Sequence, residues 1–358
     1  MTLPLNAKVA VTQLEPCWYA LHPITPNIRF DLEAAVEKTI KYVKQAAENG
    51  AELIAFPECW IPGYPIWIWD YPVNPPLLIQ YIRNALNVES PQMSRISTAA
   101  REAQIYVVLG FSESDQGSLY MAQAVISPAG EILMHRRKMK PTHMERTIFG
   151  EASGDCLANV VATPFGNVGA LNCWEHLQPL LKYHTFSQRE NIHVAAWPPL
   201  FSQDEGTDLY SMTKEGCRVL SQAYSMEGQC FTLFCTQVLG QSGIDKNLTT
   251  KSKMWGKPGG GSSAVIAPDG SVITQNLAPT EEGIVYAEIN HDLIALNKSF
   301  VDLIGHYSRP DLFTLVVDDR TKAHVVYHDD GGKAMNGEKV GKDKYRGGGV
   351  VRKFERED

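Results

Sequence analysis

The sequence predicts an α/β domain built in layers of sheet and helix. Three observations predict it. Apolar runs of strand length recur along the chain, helical or polar stretches alternate with them, and no composition break divides the first 320 residues. A chain of 358 residues with 44% hydrophobic and 20% charged residues can bury the large core that such layers need.

The elements follow in order. Residues 8–13 form a short apolar strand. Asp31 can cap a helix that ends near Asn49 and Gly50, with Leu32, Val36, Ile40, Val43 and Ala47 as its apolar stripe. Residues 53–56 are a strand stopped by Pro57, and a polar helix over 89–104 leads into a strand at 105–110. A further strand, 120–127, is closed by a turn at 128–130, and the strand 132–134 completes a hairpin. Strands at 168–171 and 192–196 flank a helical stretch at 179–189, and strands at 231–235 and 263–267 continue the series. The strings ISPAG (126–130) and IAPDG (266–270) echo each other and hint at two similar hairpins. Residues 70–76, rich in proline and aromatics, and the glycine-rich stretch 240–261 are loop candidates, and long loops often frame a site. The domain runs over 1–328. The tail 329–358 mixes Gly with charged residues and is expected to be disordered.

Composition excludes several classes. A net charge of -7 and a pI of about 5.8 argue against a nucleic-acid partner. No apolar run approaches the ~20 residues needed to cross a bilayer, and the first residues lack a secretory pattern. Seven scattered cysteines suit reduced thiols and a cytoplasmic location, and no CxxC pair suggests zinc.

Three segments can carry chemistry. Cys173 ends an apolar strand in GALNCWEH (169–176), where a nucleophile can be aimed without backbone slack, although most free thiols are simply buried. Glu58 follows a buried strand and a proline. A carboxylate desolvated there has a raised pKa and can act as general base, and the alternative is a surface glutamate at a strand end. The run HRRKMKPTH (135–143) reads either as a solvated basic stretch or as the source of a lysine near the thiol. The residues themselves do not choose between Lys138 and Lys140. Glu145 can orient substrate or water, or be an exposed carboxylate at a helix start. His176, His143 and His193 leave a Cys–His arrangement open.

Taken together these segments resemble the nitrilase family. GAELIAFPECWIPGYP (50–65) is similar to the family's glutamate segment, HRRKMKPTHMER (135–146) to its lysine segment, GALNCWEHLQPLLK (169–182) to its cysteine segment, and GHYSRPD (305–311) to a late motif. The likeness runs in order from about residue 7 to 320. It implies a four-layer α-β-β-α sandwich and a catalytic set of Glu58, Lys138 and Cys173, with Glu145 as a second glutamate. By the resemblance the lysine is the one directly after the two arginines, and His176 tunes or supports the site and is not the base. It also implies hydrolysis of a nitrile to acid and ammonia through a thioimidate and thioester, with some amide released and no metal or cofactor. Trp60, Tyr64, Trp67, Trp174, His176 and Trp197 are candidates to contact the nitrile, with core packing the alternative for the aromatics. LLKYHT (180–185) and GGGSSAVIAPDG (259–270) resemble the fungal arylacetonitrilase-type branch, and His176 leans away from cyanide hydratases, which with amidases are the alternatives. The resemblance further implies dimers extending into spiral filaments, for which the irregular segments 67–76 and 201–210 offer apolar contact residues. An inactive scaffold is the non-enzyme alternative, and the intact catalytic set opposes it.

Overall fold

In a computed structural model, residues 6–18, 30–205 and 209–321 are described. The first strand, β1 (Asn6–Leu14), is buried on both faces and is followed by α1 (Leu32–Glu48) and β2 (Leu53–Ala55). Next come α2 (Pro75–Asn84), α3 (Pro91–Ala103), β3 (Tyr106–Asp115), β4 (Ser118–Ile126) and β5 (Ile132–Arg137). Then follow β6 (Val160–Thr163), β7 (Gly166–Asn172), α4 (Pro179–Ser187), β8 (Ile192–Ala196), α5 (Lys214–Gly228) and β9 (Phe231–Gln237). The order closes with α6 (Gln241–Lys246), β10 (Ala264–Ile266), β11 (Gly283–Asn290) and α7 (His291–Phe300).

These strands make two sheets. In one, β11, β1, β2, β3, β4 and β5 lie side by side, with β1, β2 and β3 parallel and the others antiparallel. In the other, β7, β8 and β9 are parallel, flanked by antiparallel β6 and β10. Among the described residues, the sheets touch in register only where Gln13 and Leu14 of β1 meet Thr236 and Gln237 of β9. Val9, Val11, Leu53, Ala55 and Val108 of the first sheet pack on Val168, Ala170, Val194 and Leu233 of the second. A second core joins the first sheet to α1 and α3, and smaller clusters join the second sheet to α4 and α5. The layers therefore run α-β-β-α, the expected sandwich.

Local chemistry explains the elements. Asp31 accepts from the Ala34 amide at 2.9 Å and starts α1 where its cap was expected. The buried face of α1 is Ala35, Val36, Thr39, Tyr42, Val43 and Ala46, so the stripe is rotated. Leu32, Ile40 and Ala47 are only partly buried. The echoed turns are one structure used twice. Ser127 N donates to Glu131 O and Gly130 N to Ser127 O, while Ala267 N donates to Ser271 O and Gly270 N to Ala267 O. Both glycines take positive φ, +80° and +83°.

Several elements differ from expectation. α2 begins inside the expected loop 70–76, because Pro75 and Pro76 occupy its first turn and Asn74 caps it. The glycine-rich stretch 240–261 contains the short α6. β6, β11, α5 and α7 were not read from the sequence. Of the expected contact segments, Trp67 and Phe201 are buried, while Tyr71, Val73, Leu209 and Tyr210 are exposed. The tail 329–358 lies outside the described residues. Among the described residues, no helix is long and apolar enough to cross a membrane.

Candidate active site

Three strand ends converge on one point. Glu58 follows β2, Lys138 follows β5 and Cys173 follows β7. Gly110 of β3 lets the Glu58 turn lie close, since a Cβ there would sit 2.2 Å from the Pro57 carbonyl oxygen. Gln237 fixes the same turn by donating to the Glu58 carbonyl at 2.6 Å. Cys173 holds φ at +47°, a conformation uncommon for a side-chain-bearing residue, at the strand-to-turn junction.

The side chains then meet. Lys138 Nζ donates to Glu58 Oε1 at 2.9 Å and to Glu145 Oε2 at 2.7 Å. Glu145 also accepts from the Thr142 amide at 2.6 Å and from the Tyr64 hydroxyl at 2.9 Å. Cys173 Sγ and one oxygen each of Glu58 and Glu145 all lie within 4.8 Å of one another. All four groups are buried. Glu58 Oε2 is buried with no hydrogen-bond partner among the described residues, a free acceptor in the same cluster as the thiol.

Burial dominates the electrostatics. It pushes Glu58 up to about 8, with Lys138 opposing and Glu145 reinforcing the shift. The Cys173 thiol is raised by burial and then by Glu58, with Lys138 opposing, so at rest it keeps its proton and needs a base. Burial works against the Lys138 ammonium, but Glu145 and Glu58 outweigh it and hold Lys138 well above its ordinary value, hence charged. Lys140, the other candidate lysine, is half exposed and paired with Glu151.

A second buried pair locks the cluster. Arg136, two residues before Lys138, makes a two-pronged bond to Glu175, at 2.6 and 2.8 Å. Glu175 also accepts from the Asn172 and Met139 amides at 2.8 Å, so one carboxylate ties the neighbours of Cys173 and Lys138 together. Sequence reasoning missed both residues. The available signal was parity, since Arg136 shares a strand face with Lys138. Arg136→Ala leaves the buried Glu175 carboxylate without its countercharge. We expect a loss of about 3–5 kcal/mol, read by denaturant unfolding, and an unchanged midpoint would show that the pair does not hold the site.

The candidate substrate contacts are distributed unevenly. Tyr64 reaches the cluster through Glu145, and half-buried Trp174 packs in the apolar group that includes Cys173. Trp60 instead donates to Thr39 Oγ1 at 2.8 Å and packs on Phe56, in the core under α1. Trp67 is buried edge-on to Tyr81. Trp197 stacks on His176 and donates to Ser221 Oγ at 3.2 Å. His176 is fully buried, its Nδ1 2.6 Å from the Cys173 carbonyl oxygen and its Nε2 3.0 Å from His193 Nε2, so both ring nitrogens are occupied and neither is left for a ligand. His143 is exposed and stacks on Trp69.

Comparison with known proteins agrees with this architecture. The carbon-nitrogen hydrolase family profile matches residues 8–298. The chain is 54% identical to an arylacetonitrilase of Aspergillus kawachii over 320 residues, covering 89% of this chain and 94% of the relative. It is 53% identical to one from Aspergillus niger with the same coverage. In fold it is similar to a carbon-nitrogen hydrolase from Helicobacter pylori, with a TM-score of 0.65 at 16% identity over 86% of this chain and 97% of that one. The chain belongs to the carbon-nitrogen hydrolase family and is similar over most of its length to the fungal arylacetonitrilases.

Proposed function

We propose that this protein is a nitrilase that hydrolyses arylacetonitriles to the carboxylic acid and ammonia. One observation carries the reading: a buried thiol, carboxylate and ammonium share one cluster in a chain half identical to arylacetonitrilases. Glu58 Oε2 takes the thiol proton, and Cys173 attacks the nitrile carbon to give a thioimidate. Lys138 stabilises the charge that builds on nitrogen, and Glu145, bonded to Lys138 and Tyr64, keeps that ammonium in place. Glu58, now protonated, returns its proton to nitrogen. Water adds, ammonia leaves, and a second water hydrolyses the thioester. Expulsion of the thiolate one step earlier releases some amide. Tyr64 and Trp174 are the proposed substrate contacts, a reading supported by the Tyr64 bond to Glu145 and by the apolar cluster that Trp174 shares with Cys173 and Trp197.

The pH dependence follows from Glu58. Its carboxylate form is the base, and its pKa is raised to about 8. We therefore expect kcat/KM to climb as pH rises through about 8, and Glu58→Gln to abolish activity while the protein stays folded. A Glu58→Gln enzyme with a full-height pH profile would exclude this base. The deciding assay incubates the protein with phenylacetonitrile and quantifies acid, amide and ammonia. Turnover of phenylacetamide but not of the nitrile would make it an amidase.

Self-association into dimers, extended into spiral filaments, is part of the proposal. Leu180 and Tyr183 of α4 and Val219 and Met226 of α5 leave apolar surface exposed beside the Cys173 segment. Light scattering and electron microscopy test it, and a fully active monomer would overturn it. Seven free thiols fit a reducing setting such as the cytoplasm.

A further inference from the structure

Behind the nucleophile runs a chain of buried polar groups that the catalytic steps do not use. His176 Nδ1 lies 2.6 Å from the Cys173 carbonyl oxygen, and His176 Nε2 lies 3.0 Å from His193 Nε2. His193 Nδ1 lies 2.8 Å from Glu190 Oε2, and the Tyr224 hydroxyl donates to Glu190 Oε1 at 2.5 Å. His176, His193 and Tyr224 are fully buried and Glu190 is 3% exposed. Gly169, on the strand that delivers Cys173, makes room for the carboxylate, since a Cβ there would meet Glu190 Oε2 at 2.1 Å.

Counting protons gives the state of this chain. Three contacts link the Cys173 carbonyl to Glu190, and each needs one hydrogen between its heavy atoms. Two neutral imidazoles supply two. If Glu190 is a carboxylate and both rings are neutral, then His193 Nδ1–H points at Glu190 and His176 Nε2–H at His193. His176 Nδ1 would then face a carbonyl oxygen with a lone pair on each side. One further proton removes that conflict.

We propose that His193 and Glu190 form a buried imidazolium–carboxylate pair that acts as a positioning device for the nucleophile. His193 donates to both Glu190 and His176 Nε2, and neutral His176 donates to the Cys173 carbonyl, pinning the residue at its φ of +47°. The Tyr224 hydroxyl, directed at Glu190, favours the carboxylate over the acid form. Burial, then the charge of His193, depresses His176, which keeps that ring neutral as the order of donors requires. The other titratable groups facing the chain are Cys230 at the foot of β9, Lys182 on α4 and Lys138 beyond the thiol. The two lysines oppose a charge on His176, so the extra proton sits on the ring beside Glu190.

The count predicts an unequal pair of variants. In Glu190→Gln the amide donates to His193 Nδ1 and accepts from Tyr224, so the same donor order survives with both rings neutral. In Glu190→Leu the chain loses its anchor. The inference rests on the hydrolase reading for its activity arm only. With phenylacetonitrile, Glu190→Gln is expected to keep the parent's kcat. Glu190→Leu should lower kcat by ~10- to 100-fold with KM little changed, the scale of a lost buried hydrogen-bond partner. The second arm is nitrogen NMR of histidine-labelled protein at about pH 8, where an ordinary histidine is neutral. One imidazolium should remain in the parent and vanish in Glu190→Gln. If Glu190→Leu does not fold, Glu190→Gln and the parent carry both arms. A folded Glu190→Gln as impaired as Glu190→Leu, or a parent without the imidazolium, overturns the proposal. A parent that spares nitriles sinks the functional reading instead, and the nitrogen spectra still decide the proton count.

Discussion

Cys173→Ala is expected to give a folded protein that releases no ammonia from phenylacetonitrile. The thiol is 6% exposed and loses only its sulfur, so packing changes little beside Ala195, Trp197 and Cys217. Chemistry loses everything, because the covalent route needs an attacking atom where Glu58, Lys138 and Glu145 converge. Cys217 shares the apolar cluster, but its sulfur is turned to the Ser211 carbonyl at 3.6 Å, and burial raises its pKa, away from thiolate. Cys173→Ser is expected to be nearly as inactive, since a buried hydroxyl is far harder to ionise than a thiol. Measurement is direct: product by chromatography, fold by circular dichroism. Substantial turnover by a folded Cys173→Ala would remove the covalent mechanism altogether.

The second large effect is at Lys138. Its ammonium holds two carboxylates together and opposes the rise in the thiol's pKa, so Lys138→Ala removes several things at once. Loss of a charge-stabilising donor costs ~10²–10³ in kcat. Glu58 also loses its main acid-strengthening neighbour while Glu145 continues to repel, so its carboxylate form becomes scarcer and the pH limb moves up. Lys140→Ala is the control, because Lys140 is half exposed on Glu151 and such surface pairs contribute ~0–1 kcal/mol. Rates for both variants across pH test the assignment. Equal losses at the two lysines would refute it.

Much of the fold is legible in the sequence, for identifiable reasons. Parallel strands buried on both faces show as unbroken apolar runs, so 53–56, 192–196 and 231–235 are readable without context. Asp31 announces α1 because its cap bond spans only three residues. β6 and β11 are only half buried, so their short apolar stretches, 160–162 and 284–287, are a weaker signal. α2 is masked by prolines that read as loop until their place in a first turn is seen. The site divides the same way. Glu58 and Cys173 stand at strand ends, a local feature. Nothing local separates Lys138 from Lys140, and what does so is burial against carboxylates 80 and 7 residues away. Arg136–Glu175 and the His176–His193–Glu190 chain are likewise made by strand pairing, across 39 and 17 residues. Trp60 and Trp67 adjoin the glutamate motif in sequence yet pack in cores, because the chain after Glu58 turns and aims successive side chains apart.

The place of β1 bears on how the chain reaches this structure. Nine residues near its start pair with β2 at 53–55, β9 at 236–237 and β11 at 283–290. During synthesis, β1 and β2 can associate early, but the opposite edge of β1 stays unpaired until residue 290 has left the ribosome. A nascent chain thus carries an open strand edge while residues 15–282 are made, the kind of edge that invites wrong pairing. Truncation before residue 283 would make that exposure permanent, and chaperone demand should track the length of time the last strand is missing.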